Sequence, residues 1–453
     1  MKKIEKITNL LILAFLFFLP WQTRYIYEYG YLNNGSWEYG TYSIYAIEIL
    51  LWIIIILFAI NKFAKRDFFI QICSPANFKK NCRPATFVII FIIFNICMLA
   101  TSLDFELSYQ HVVRVLGAIC LGMVILSNAP RVKSALIVFW VGGVVQGALA
   151  IFQFFAQKVW ACKWLGMASH SAADQGASVV EFAGERWLRA YGSFGWPNIL
   201  GGYLAIVFIV GLLIILINSR CISNHIGAYH SFSYKWLINA GQIVVLAGLI
   251  LSFSRGAWIA LAIGVASLLL ISKKLFKQGE FCCSPIYFLS KQFFYGIILL
   301  VCAMIILFPL FLARFNLMNR VEQTSISEHK YQYVDASNAI YNNFWLGSGA
   351  GAYTLLQFQE EPNLESWQYQ PIHNIFVLIF AETGILGILI YGIIFASVFL
   401  FVWKNNRLFA PLLITMAVLG IFDHWLWTIY TGLVLWWIVS AISLKKIAKN
   451  SHI

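Results

Sequence analysis

Long apolar runs separated by short polar breaks fall at about residues 7–20, 44–61, 85–102, 111–128, 134–157, 198–217, 236–254, 257–272, 292–312, 373–403, 408–422 and 426–443. A helix crossing a bilayer needs roughly 20 mostly apolar residues, so most of these runs predict one span each. Between Lys235 and Lys273 the only charge is Arg255. A straight helix over that interval would be about 55 Å long, nearly twice a hydrocarbon core of about 30 Å. The chain must therefore turn back near Ser252-Phe253-Ser254-Arg255-Gly256. The run from His373 to Trp403 is also too long for one untilted crossing, which predicts a short helix that breaks at Thr383-Gly384. The pattern as a whole predicts an all-α polytopic protein: one membrane domain over residues 1–453, with about twelve transmembrane helices. Two long outward segments interrupt it, residues 158–197 and, before the tenth span, a large, partly helical loop at 313–372.

Composition agrees, because 60% apolar and 11% charged residues cannot cover an ordinary soluble surface. The net charge of +13 would suit a nucleic-acid partner in a soluble domain, but its distribution gives another reading. With Lys2, Lys3 and Lys6 on the cytoplasmic side, alternating spans place 22 Lys/Arg and three acids (Glu5, Asp67, Glu280) inside, against 10 and 16 elsewhere. Positive residues prefer the cytoplasmic side, so the charge is a topology signal and no nucleic-acid partner is expected. Both termini are then cytoplasmic. No small-residue cleavage site follows Pro20, and Trp21 and Tyr25 suit an interface, so the first run reads as a retained span.

The nine cysteines give no disulfide framework. Cys73, Cys82, Cys221, Cys282 and Cys283 fall in cytoplasmic loops, Cys97, Cys120 and Cys302 in spans, and Cys162 alone outside. Cys282-Cys283 lacks zinc-site spacing, and Asp104-Phe105-Glu106 offers only two hard ligands.

Candidate chemistry lies on the outward side. Arg255 sits at a turn between two spans, where an unpaired charge is costly and a guanidinium can grip phosphate oxygens with two parallel hydrogen bonds. His373 begins the run that ends at Gly384 and, as a histidine at the outer rim, can take a proton from an attacking hydroxyl. Arg189 precedes the turn Tyr191-Gly192-Ser193-Phe194-Gly195-Trp196-Pro197, and Asn198 is placed to cap the following span. A period near 3.6 from His329 to Asn343 predicts a helix outside the bilayer. Gly347-Ser348-Gly349-Ala350-Gly351 lacks the strand and lysine of a phosphate loop and reads as a backbone turn.

In order and spacing, three stretches over about residues 185–400 resemble the O-antigen ligase and polymerase superfamily of bacterial membrane glycosyltransferases. They are Tyr191–Asn198 with Gly201, Gly202 and Tyr203; Phe253-Ser254-Arg255-Gly256-Ala257-Trp258; and Leu346–Gly351 with Tyr353, followed by His373-Asn374 through Glu382-Thr383-Gly384-Ile385-Leu386-Gly387. The resemblance implies an inner-membrane enzyme with an extracytoplasmic active site. Such an enzyme passes a glycan from undecaprenyl diphosphate to a hydroxyl of a lipid A-core, glycan or protein acceptor, inverting the anomeric centre without cofactor or metal. It implies that His373 activates the acceptor and that Arg255 and Arg189 bind the diphosphate. Where the family has a loop arginine, this chain offers His329 and Lys330, with Arg320 nine or ten residues earlier; Glu382 and Asn198 are further candidates within the matching stretches. Ligase, polymerase and protein O-oligosaccharyltransferase share this chemistry. A lipid-linked glycan transporter is the competing class, but it would carry charges near mid-span, whereas Arg114, Arg255 and Asp423-His424 lie at outward rims.

Overall fold

The computed structural model describes residues 2–64, 88–128, 130–217, 235–278, 298, 301, 304–316 and 320–445. Most of the predicted span at 292–312, the inner loop segments at 65–84, 218–234 and 279–291, and Cys73, Cys82, Cys221, Cys282, Cys283 and Cys302 lie outside the described residues.

The protein is mostly helical. Its helices are α1 (Lys2–Phe18), α2 (Ala46–Ala64), α3 (Val88–Met98), α4 (Phe105–Asn128), α5 (Val132–Ala156), α6 (Pro197–Ile217), α7 (Lys235–Leu251), α8 (Arg255–Lys277), α9 (Phe308–Phe315), α10 (Arg320–Asn342), α11 (Tyr353–Glu360), α12 (Ile375–Asn405), α13 (Ala410–Phe422), α14 (Trp425–Thr428) and α15 (Tyr430–Leu444). Among the described residues, α2, α4, α5, α6, α8 and α12 are long and apolar enough to cross a membrane; α3, α7, α13 and α15 are shorter apolar helices. The chain is a membrane protein.

Helix α6 lies at the centre, packed against α5, α7, α8 and α13. Its apolar residues run round every face, as a fully buried helix requires, and nearly all of its side chains are buried. Gly201 and Gly202 allow close approach at its N-terminal end: a Cβ on the first would meet Ser252 and Ser254, and one on the second the indole of Trp425.

Segments between the helices add short strands to this mostly helical fold. They contain four small antiparallel pairs: β1 (Arg24–Glu28) with β4 (Tyr42–Tyr45), β2 (Tyr31–Leu32) with β3 (Gly35–Ser36), β5 (Lys158–Val159) with β6 (His170–Ser171), and β7 (Val179–Phe182) with β8 (Glu185–Leu188). Tyr25, Tyr27, Tyr29 and Tyr31 alternate at strand period, and Asn33 and Asn34 take positive φ at the β2–β3 turn. The strands are too short to register against the long apolar runs.

Buried glutamines fasten the second of these segments to the bundle. Gln153 of α5 donates to the Gly192 carbonyl at 2.8 Å and accepts from the Tyr191 and Gly192 amides, while Gln146 accepts from the Ser193 amide at 2.9 Å. These bonds satisfy backbone groups that a turn would otherwise leave unpaired in an apolar surround.

Candidate active site

The predicted reversal occurs where the charge pattern placed it. Helix α7 ends at Leu251, Phe253 takes φ +49, Ser254 caps α8 by accepting from the Ala257 amide, and Arg255 is the first residue of α8. Two further arginines hold this turn from the sides. Buried Arg189 donates Nε–H to the Ser252 carbonyl at 2.8 Å, and buried Arg314 donates Nε–H to the Phe253 carbonyl at 3.1 Å. Arg255 itself donates to the Arg314 carbonyl at 3.5 Å. Arg314 went unnoticed in the sequence, although it is the one charge between Lys291 and Arg320.

Asn198 does not cap α6. The helix already begins at Pro197, and the Asn198 side-chain oxygen instead accepts from Arg189 at 2.6 Å. Proline at the first helical position supplies the start, leaving Asn198 free to orient the arginine.

The break in α12 also falls where length demanded it. Gly384 has φ +65 and ψ −172, and a Cβ there would drive into the Trp345 carbonyl; Gly347, at φ +71, packs in the same way against the backbone of Glu382. The glycine turn repairs the hydrogen bonds the break opens. The Ser348 and Gly349 amides donate to the Ala381 and Glu382 carbonyls, and the Ile385 amide donates to the Phe344 carbonyl. The turn is thus a backbone latch, and it fixes the first segment of α12, which follows Asn374. That residue caps the helix by accepting from the Phe376 and Val377 amides.

His373 stands immediately before this cap, where three other segments meet it. From α10, one helical face presents His329, Gln332 and Tyr333: the His329 ring lies 4.7 Å from that of His373, Gln332 accepts from the His373 amide, and Tyr333 accepts from Asn374. From the α13–α14 junction, Asp423 holds Oδ1 3.7 Å from His373 Nδ1, and the His424 ring lies 5.0 Å from the His373 ring. His424 in turn pairs its Nδ1 with Thr428 Oγ1 at 2.7 Å and points Nε2 to within 4.0 Å of Asp423.

These groups set one another's charge. Burial alone would push the Asp423 carboxyl up. The His373 contact, the charges of His424 and His373 and the His424 amide outweigh it and hold the carboxyl at about 2. Burial pushes His424 down to about 4 against the pull of Asp423. His329 is also pushed down to about 4, by burial first, then by the charge of His373, with the Arg255 charge adding to the effect.

Among the residues singled out in the sequence, the structure brings together His373 and His329, and the Arg255 charge acts on His329. Arg189 acts on the turn that carries Arg255. Lys330, one residue from His329 and so on a different face of α10, is exposed. Arg320 is drawn away, pairing with Glu181 of β7 at 3.0 Å. Glu382 is buried and accepts from the Trp427 indole at 2.6 Å and from the Gly351 and Tyr353 amides, tying the glycine turn to α14. Asp423 and His424 were legible only as rim charges. His373 Nδ1, an Asp423 oxygen and a His424 ring nitrogen lie within 4.8 Å of one another, a set that can hold a divalent ion.

Residues 240–392 match the family described as O-antigen ligase. The match contains Arg255, Arg314, His329, the glycine turn and His373; it leaves out Arg189, Asp423, His424 and the N-terminal helices. No curated protein matches the chain.

Proposed function

We propose that this chain, a member of the O-antigen ligase superfamily through its domain at residues 240–392, transfers a glycan from undecaprenyl diphosphate to an acceptor hydroxyl at the outer face of a bacterial inner membrane. The observation that carries this reading is the pairing of His373 with ionised Asp423, next to Phe422, against which Gly256 of the Arg255 turn packs.

A histidine whose Nδ1–H faces a carboxylate has its lone pair on Nε2, available to an acceptor O–H. As the hydroxyl oxygen attacks the anomeric carbon, the proton passes to His373 and the bond from that carbon to the diphosphate oxygen breaks. Negative charge then builds on the leaving undecaprenyl diphosphate, where Arg255 stabilises it by two parallel hydrogen bonds. Asp423 stabilises the imidazolium that forms. Attack opposite the leaving group inverts the anomeric centre, and no covalent enzyme intermediate is required. Arg189 and Arg314 act one step removed, by fixing the carbonyls of the turn on which Arg255 stands. His329 takes the place in the site that the sequence left open between His329, Lys330 and Arg320.

A ligase to a lipid A-core or similar acceptor is the reading adopted. The uneven charge between the two sides supports cytoplasmic termini and an extracytoplasmic site. Deletion of the gene followed by glycan analysis tests the proposal. Accumulation of long chains on the carrier supports a ligase, accumulation of single repeat units assigns a polymerase, and an unchanged glycan profile rejects both.

A further inference from the structure

Next to the His373, Asp423 and His424 cluster lies a polar cavity of about 70 Å³ that the chemistry above does not use. At about 10–15 Å³ per water it has room for roughly five waters, comparable to what one pyranose ring displaces. Most of its walls lie outside residues 240–392: the β1–β4 region, α4, and the stretch from Trp427 into α15.

Two buried polar atoms of lining residues have no hydrogen-bond partner among the described residues, Tyr430 Oη and His111 Nε2. Tyr430 is only 2% exposed. A buried polar group left unpaired costs about 1–3 kcal/mol, so the cavity is built for an occupant that supplies hydrogen bonds. The charges indicate which kind. Arg24 is already paired with Glu38 at 2.8 Å, and Arg114 lies 3.7 Å from Glu48. With each cation matched to a carboxylate, the cavity suits a neutral ligand rich in hydroxyls rather than a phosphate.

Aromatic faces complete the wall. Tyr45 and Tyr430 stack at 5.1 Å with the Arg114 guanidinium over both rings, and Trp427 lies 4.6 Å from His111. Aromatic rings with hydroxyl, imidazole and guanidinium groups beside them match the two kinds of surface a sugar ring presents. The cavity also reaches the reacting groups: Thr428, which pairs with His424, lines it, and the Tyr39 ring lies 6.0 Å from that of His424. Arg255 is absent from its walls and is left to the donor.

We propose that this cavity is the acceptor subsite and receives one neutral sugar residue, selected by the N-terminal hairpin and α4 rather than by the family domain. The assignment rests on the transferase reading above.

The test uses the full chain in lipid nanodiscs. Saturation-transfer NMR is recorded with the methyl glycosides of glucose, galactose and N-acetylglucosamine as probes and inorganic phosphate as competitor; binding of undecaprenyl diphosphate is measured on the same samples. At least one glycoside should give a signal that phosphate does not displace. Tyr430→Phe and His111→Phe should each weaken it by roughly threefold or more, the scale of one lost hydrogen bond, with carrier binding retained. His373→Ala should keep the glycoside signal. The proposal is overturned if a protein that binds the carrier gives no glycoside signal, if both cavity variants bind as the wild type does, or if phosphate displaces the sugar. Glycoside binding without carrier binding would uphold the sugar site and reject the transferase reading.

Discussion

Asp423 Oδ1 lies 3.7 Å from Nδ1 of His373, and the carboxyl is held at about 2 although it is half-buried. It is therefore ionised at any physiological pH and faces the Nδ1 edge of the imidazole. Asp423→Asn keeps the shape and removes the charge. Transfer should slow by about 10²–10⁴-fold, the usual range for losing assisted proton transfer. Undecaprenyl diphosphate binding and membrane insertion should be retained. A wild-type transfer rate in this variant would remove Asp423 from the mechanism.

Arg255 and Arg189 should fail differently. Arg255→Lys replaces a planar fork by a point charge and should weaken carrier binding and transfer together, by about 10–100-fold, as expected for a charge-assisted pair. Arg189→Lys loses the bonds to Ser252 and Asn198, so it should lower thermal stability as well as carrier affinity. Titrating both variants with undecaprenyl diphosphate and recording their unfolding midpoints separates the roles. Equal loss of stability in the two would mean that Arg255, too, is structural.

The features legible in the sequence are those imposed by the bilayer. An apolar stretch too long for one crossing must turn or break, and Arg255 and Gly384 marked where. What connects distant parts of the chain was not legible. Asp423 reaches His373 only because α12 and α13 fold back and bring the end of one to the start of the other, and nothing local to Asp423-His424 signals that meeting. Nor was it legible that α10 turns His329 toward His373 or that Arg320 pairs with Glu181 on β7. The β1–β4 region carried a visible alternation of tyrosines, overshadowed by the stronger helical signals around it.

The latch between the glycine turn and α12 is open to a stability test. Gly384→Ala and Gly347→Ala each place a Cβ against backbone at positive φ. Each should cost more than the 1–2 kcal/mol or so of a simple left-handed residue, because no flexible side chain can move aside. The unfolding midpoint in detergent should drop by several degrees in either variant, whereas Gly392→Ala, with nothing within 4 Å of the added Cβ, should stay near wild type. Equal midpoints for all three would show that the latch bears no strain.

The spacing of His373, Asp423 and His424 also predicts inhibition by zinc. The ion needs ligand atoms at about 2.0–2.2 Å, and this trio can close on it with small side-chain shifts. Bound zinc would occupy His373 and remove the proton acceptor. Micromolar zinc should therefore inhibit transfer, chelator should restore it, and chelator alone should leave the rate unchanged. His424→Ala should be less sensitive to zinc. Loss of activity on chelation would instead make the ion part of the reaction.

Acid should destabilise the fold in a window set by buried His424 and half-buried His329. In the unfolded chain their pKa is near 6.5, whereas His424 and His329 are pushed down to about 4 in the folded protein. Between those values the unfolded chain binds protons that the folded one refuses, so stability falls as pH falls from about 6.5 to about 4. For His424 alone the full shift corresponds to on the order of 3 kcal/mol. Asp423 adds a second loss at lower pH, from its ordinary value near 3.8 to about 2. Unfolding midpoints recorded from pH 7.5 to 4.5 should decline, and His424→Gln should flatten the decline; a flat wild-type profile would contradict the burial of these rings. Neither histidine gains a proton in the folded protein between pH 5 and 8, so any change in transfer rate across that range must come from other groups.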